Sequence, residues 1–248
     1  MVVPLHGENG FKLTVRDLEG LVTEKTKVLV FPYPGNPTGA TMSKKDMEEL
    51  CRFICEKDLF VLSDEIYAEL TYDEPHTSIA SMPGMYERTL VINGFSKAFS
   101  MTGWRLGYAA GPKELLEQMT KVHQFAIMCA PTTSQYAAIE ALKNCDRAVE
   151  EMKQEYNRRR RLVVSKLREM GLPCSDPSGA FYVFPCIRST GMTSEEFCQK
   201  LLHQKKIAVV PGDAFGASGE GYVRISYAYS VERLNMALTR ISEFLQEL

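Results

Sequence analysis

The sequence predicts an α/β chain with a mostly parallel sheet, followed by a smaller C-terminal α+β module, and three observations carry that prediction. Short apolar runs at Val28-Leu29-Val30-Phe31, Phe60-Val61-Leu62 and Leu90-Val91-Ile92 have the length and residue types of strands. A helical pattern separates the first two, giving a strand, helix, strand unit that favours parallel pairing. Beyond residue 145 the pattern changes, as a long amphipathic helix leads into short strands mixed with helices.

The elements follow in order. The first strand runs into Pro32-Tyr33-Pro34-Gly35-Asn36-Pro37-Thr38-Gly39, whose prolines and glycines do not continue a central strand, so a turn with Asn36 at its tip is expected. Ser43 then caps a helix with Met47, Leu50, Cys51 and Ile54 on one face. The second strand leads into Ser63-Asp64-Glu65-Ile66-Tyr67, and the third, read as buried, into Gly94-Phe95-Ser96-Lys97. After Pro112, Leu115, Met119, Val122 and Phe125 mark another helix. Thr132 and Gln135 have capping-box spacing ahead of a helix carrying Ile139 and Leu142.

A boundary is expected at Asn144-Cys145-Asp146, dividing the chain into domains 1–145 and 146–248. Asp146 starts a linking helix with Val149, Met152, Tyr156, Val163 and Leu167 inward, stopped by Gly171 and Pro173. Its basic run from Arg158 to Arg161 reads as a solvated face balanced by Glu150, Glu151 and Glu155. The C-terminal module has strands near Phe181-Tyr182-Val183-Phe184, Ile207-Ala208-Val209-Val210 and Tyr222-Val223-Arg224-Ile225. A helix over 193–204 and a terminal one carrying Leu234, Leu238, Ile241 and Leu245 complete it.

Composition narrows the function. A chain of 248 residues that is 45% hydrophobic buries a sizeable core, and its net charge of −2 argues against a nucleic-acid or anionic-membrane partner. No apolar stretch approaches the roughly 18 residues of a membrane span, and the start lacks a signal peptide's pattern, so a cytoplasmic location is expected. Seven cysteines, an odd number without a Cys-x-x-Cys pair, read as free thiols, with Cys51 and Cys55 buried on one helix. The four histidines form no ligand-spaced cluster, and no metal is expected.

The strand ends carry the chemistry, because ligands of open α/β sheets bind at the carboxyl edge. One end delivers the Asn36 amide, the next Asp64 with Tyr67, and the third Ser96 and Lys97, with Arg105 a little beyond. That set suits pyridoxal phosphate, which needs a lysine for its aldehyde, an anion beside its ring nitrogen, donors for its ring oxygen, and hydroxyl or cationic groups for its phosphate. Lys97 would form the Schiff base and Asp64 would keep the ring nitrogen protonated. Tyr67 and Asn36 would bind the ring oxygen, and Ser96 and Arg105 the phosphate, Arg105 through a fork that a lysine does not reproduce. Taken singly each residue has a plainer reading: a turn at Asn36, a helix cap at Asp64, a surface ion pair at Arg105.

The stretches PYPGNPTGA, LSDEIYAEL, NGFSKAFSMTGWRLGYAAGP, PSGAFYVFP, VVPGDAFG and GYVRISYA resemble class I/II aminotransferases of the fold-type I pyridoxal-phosphate enzymes, in the aspartate and aromatic branch. The resemblance covers nearly the whole chain. It implies a partial large domain holding pyridoxal 5'-phosphate and a small C-terminal domain. Lys97 is implied as the covalent lysine and catalytic base; Asn36, Asp64, Tyr67, Ser96 and Arg105 as cofactor residues; and Arg224, with Asn36, as substrate-binding, Arg224 clamping the α-carboxylate. It further implies transfer of an amino group between an amino acid and a 2-oxo acid, and a homodimer. A lyase or synthase of the same fold type, or an inactive shortened chain, are the alternatives. Complete family members begin with a segment that supplies a phosphate-binding loop and a ring-stacking aromatic residue; no counterpart precedes the Asn36 turn, so the resemblance implies a chain lacking that segment.

Overall fold

A computed structural model describes all residues, Met1 to Leu248. The chain packs as two compact units: one comprises 13–34 and 41–153, the other 1–12, 35–40 and 154–248. The division falls inside the long linking helix, and two short N-terminal pieces belong with the C-terminal residues.

The first unit is built on a four-stranded sheet in the order β1 (Val28–Phe31), β2 (Phe60–Asp64), β3 (Thr89–Gly94) and β4 (Gly107–Ala110). The pairs β1·β2 and β2·β3 are parallel, and β4 joins antiparallel at the edge. A single turn, α1 (Val15–Leu18), precedes the sheet, and α2 (Lys44–Glu56) makes the β1 to β2 crossover. The Ser43 cap forms as the sequence predicts, with Asp46 N–H donating to Ser43 Oγ at 3.2 Å while the Asp46 carboxylate accepts from Ser43 N at 2.9 Å. Met47, Leu50, Cys51 and Ile54 are all buried, each large side chain contributing about 1.5–3 kcal/mol. β1 alternates: Leu29 and Phe31 are inside, Val28 and Val30 outside.

The other helices of this unit are α3 (Lys113–Ala126) and α4 (Thr132–Asn144). The apolar stripe of α3 forms on the helix, yet none of its residues is buried. In α4 the buried positions are Ser134, Ala138 and Ala141, while Ile139 and Leu142 lie outside. The expected Thr132–Gln135 capping box is absent. Pro131 takes the cap position, so Thr132 is already helical, and Gln135 instead donates its side-chain amide to Ala130 O at 2.9 Å.

Helix α5 (Asp146–Glu169) passes from one unit into the other. The second unit carries a three-stranded antiparallel sheet in the order β5 (Tyr182–Val183), β7 (Val223–Ser226), β6 (Val210–Pro211), with α6 (Ser194–Lys205) and α7 (Val231–Gln246). β5 and β6 are two residues each, shorter than the four-residue runs expected, while β7 keeps four residues, shifted by one from the expected run. The basic run of α5 is not uniformly solvated: Arg158 and Arg159 pair with Glu155, but Arg160 is buried, bonded to Asn157 Oδ1 at 3.0 Å and to Pro177 O at 2.9 Å. Arg160 thereby anchors the loop at Pro177, whose ring closes on Gly39. A Cβ at Gly39 would collide with Pro177 and two backbone oxygens, and its φ of +69° is itself one that side chains disfavour.

Seven free cysteines are scattered through the chain; Cys51 is buried and Cys55 only partly so, its thiol directed at Gly84 O. Burial raises the Cys51 thiol to about 11, so it is protonated at neutral pH. No three His, Cys, Asp or Glu side chains are grouped to hold a metal ion, and no helix is long and apolar enough to cross a membrane.

Candidate functional site

Parallel pairing aligns the ends of β2 and β3, with Asp64 opposite Ile92, so the loops that follow them leave from one sheet edge. Asp64 is half-buried, and its Oδ1 accepts from Ile66 N at 3.1 Å, which turns the chain back toward Tyr67. Tyr67 is buried, and the Lys97 ammonium stands 5.8 Å from its ring centroid. This brings the β2 and β3 loops together at the lysine, as the sequence predicts.

The Lys97 loop is held from beneath. Phe95, Ala98 and Met101 are buried, and Phe95 and Met101 form one cluster with Ala138 and Ala141 of α4. Small residues on α4 let the loop approach closely, and Ser134 Oγ donates to Trp104 O at 2.7 Å to close its far end. Gly94 and Gly107 face each other where the loop leaves and rejoins the sheet; a Cβ on Gly94 would lie 2.9 Å from Gly107 Cα, so this neck requires glycine. Lys97 and Ser96 are thus half-buried side chains on a short segment pinned at both ends. Arg105 has a left-handed backbone, φ +53°, and is exposed; one terminal nitrogen donates to Thr102 O at 2.8 Å.

The remaining two residues meet in the second unit. Arg224 on β7 donates from Nη1 to Asn36 Oδ1 at 2.8 Å, linking residues 188 positions apart. Its guanidinium lies 4.5 Å from the Tyr182 ring centroid and 5.0 Å from that of Phe215, which fixes the plane of the fork. Arg224 Nε is buried with no partner in the chain. A buried donor of this kind costs about 1–3 kcal/mol when unmatched, and an oriented guanidinium with a spare donor suits a carboxylate. The sequence assigned Asn36 to a ring oxygen as well as to substrate; the hydrogen bond formed here is the one to Arg224.

An amine, a carboxylate, a phenol, a hydroxyl and a guanidinium lie in the first unit, and an oriented arginine with its amide partner lies in the second; these are the group types that pyridoxal phosphate and an amino-acid substrate require. Glu65, which the motif reading passed over, is the one fully buried acid beside these residues.

Comparison with known proteins agrees. The family model for aminotransferase class I and II matches residues 1–241, and the chain belongs to that family. It is 56% identical over 249 residues to a putative aminotransferase of Bacillus subtilis and 52% identical over 248 residues to an aspartate aminotransferase of Pyrococcus abyssi, covering 99% of this chain and 64% of each relative. The chain therefore spans about two thirds of the length of these relatives. The crystal structure of an aromatic aminotransferase from Pyrococcus horikoshii superposes with a TM-score of 0.96 at 52% identity, over 99% of this chain and 66% of that one.

Proposed function

We propose that the protein is a pyridoxal-phosphate-dependent aminotransferase that moves an amino group between an amino acid and a 2-oxo acid. The observation that carries this reading is the convergence of Asp64, Tyr67 and Lys97 at one sheet edge, together with the aromatic-stacked Arg224 and its spare buried donor. Relatives named for aspartate and for aromatic amino acids support an amino acid as the donor.

Pyridoxal phosphate, when bound, supplies an electron sink for the carbanion left at the substrate α-carbon. Lys97 would hold the cofactor through its amine, and that amine, when free, would serve as the base that takes the proton from the substrate α-carbon. Asp64 would keep the ring nitrogen protonated, and Tyr67 would donate to the ring oxygen. Ser96 and Arg105 would bind the phosphate; Arg105 keeps donors beyond the one given to Thr102 O. Arg224 receives the α-carboxylate, with Asn36 steadying its fork.

A homodimer in the cytoplasm fits the same reading. Val122 and Phe125 on α3 and Tyr136, Ile139 and Leu142 on α4 are exposed apolar side chains that a second copy would cover.

The test is an absorbance scan with pyridoxal phosphate before and after borohydride reduction, followed by peptide mapping. A Schiff-base band and a label on Lys97 are expected, with keto acid released from a supplied amino acid. Absence of the band, or a label elsewhere, refutes the assignment of Lys97.

A further inference from the structure

Beside the residues assigned above lies a buried polar cluster that this chemistry does not use. Glu65 directly follows Asp64 and is only 4% exposed. Its Oε1 accepts from Ser63 Oγ at 2.9 Å and Ser78 Oγ at 2.7 Å, and its Oε2 lies 2.9 Å from His76 Nε2. Burial pushes the Glu65 carboxyl up, but the bonds from His76, Ser78 and Ser63 together outweigh it and hold the group below the usual carboxylate range. An ionised carboxylate only accepts, so His76 Nε2 carries the hydrogen.

Asp64 and Glu65 are adjacent acids on an extended segment, where neighbouring side chains point to opposite faces. Burial follows that alternation: Ser63 and Glu65 are inside, Asp64 half-exposed. A slip of one position would exchange them, offering the cofactor side a longer carboxylate and burying the shorter one out of reach of its donors. Two backbone bonds resist the slip, Glu65 N to Ile92 O at 2.8 Å and Ala68 N to Glu65 O at 2.9 Å. The side-chain bonds add what the backbone lacks, because they distinguish glutamate from aspartate. Ser78 also caps the 3₁₀ turn Ile79–Ser81, so the clamp rests on an ordered segment.

We infer that Glu65, held by Ser63, His76 and Ser78, is a positioning residue that fixes Asp64 and Tyr67 in register for the cofactor. The inference rests on the pyridoxal-phosphate reading, and its test separates the two. Hydrogen exchange is measured at the amides of residues 65–68, and pyridoxal phosphate affinity by absorbance titration, for wild type, Glu65→Ala, Glu65→Gln and His76→Asn. Glu65→Ala is expected to speed exchange in that turn selectively and to weaken the cofactor about tenfold, the scale of losing an oriented hydrogen bond to a charged group. Glu65→Gln keeps an acceptor for the two serines and is expected to recover most of both. Should Glu65→Ala fail to fold, His76→Asn carries the same expectation at smaller size. Unchanged exchange at 65–68, or faster exchange spread evenly over the sheet with unchanged affinity, overturns the inference. If the wild type takes no pyridoxal phosphate, the site reading fails, while the exchange measurement still decides whether Glu65 pins the turn.

Discussion

Helices α2 and α3 belong to the same unit, have nearly equal length and carry comparable apolar stripes, yet one is a core element and the other an open face. Met47, Leu50, Cys51 and Ile54 of α2 are buried, whereas on α3 Leu115 and Met119 are only half-buried and Phe125 is 96% exposed. Their starts differ too: α2 has a reciprocal Ser43–Asp46 cap, while α3 begins after Pro112 with no side-chain cap. A helical period declares which face of a segment is apolar; it does not declare what covers that face.

The largest expected effect that tests this contrast is Leu50→Ala. Removing a fully buried side chain from α2 should cost about 2–5 kcal/mol in denaturant unfolding, with the midpoint lowered at unchanged slope. A cost below 1 kcal/mol would mean that the α2 face is looser than its burial implies. Next comes Ser43→Ala, expected to destabilise by about 1 kcal/mol through loss of the cap to Asp46 N. The smallest is Phe125→Ser on α3. It should change unfolding stability by no more than about 0.5 kcal/mol at low protein concentration, and in sedimentation it should shift the protein toward smaller species. A cost for Phe125→Ser matching that of Leu50→Ala would erase the contrast and show the α3 face to be covered in solution.

What was legible in the sequence follows the range of the interactions. β1, β2, β3 and α2 were readable because their periods and the Ser43 cap are local. Edge strand β4 was not, since Gly107-Tyr108-Ala109-Ala110 lacks the branched residues that mark strands, and its first pair is a close approach of Gly107 to Gly94. The α4 start was misplaced because Thr132 and Gln135 have cap spacing, but Pro131, with its fixed φ, already occupies the cap position. Arg160 was read as solvent-facing with its neighbours, and a basic run gives no hint that one member turns inward to a carbonyl 17 residues away. Asp64, Tyr67 and Lys97 were singled out as candidates because each lies at, or within three residues of, the end of a strand. Glu65 was passed over because its partners, His76 and Ser78, lie in a segment with no motif of its own.

The sequence by itself determined the strand, helix, strand order, which candidate residues follow the strand ends, and the family, because these depend on residue type and short spacing. The tertiary structure alone decided which apolar faces are covered, which of two adjacent acids is buried, and that Arg224 finds Asn36 across 188 residues. Those outcomes depend on segments distant in the chain coming within a few ångströms of one another, and no local pattern encodes that distance.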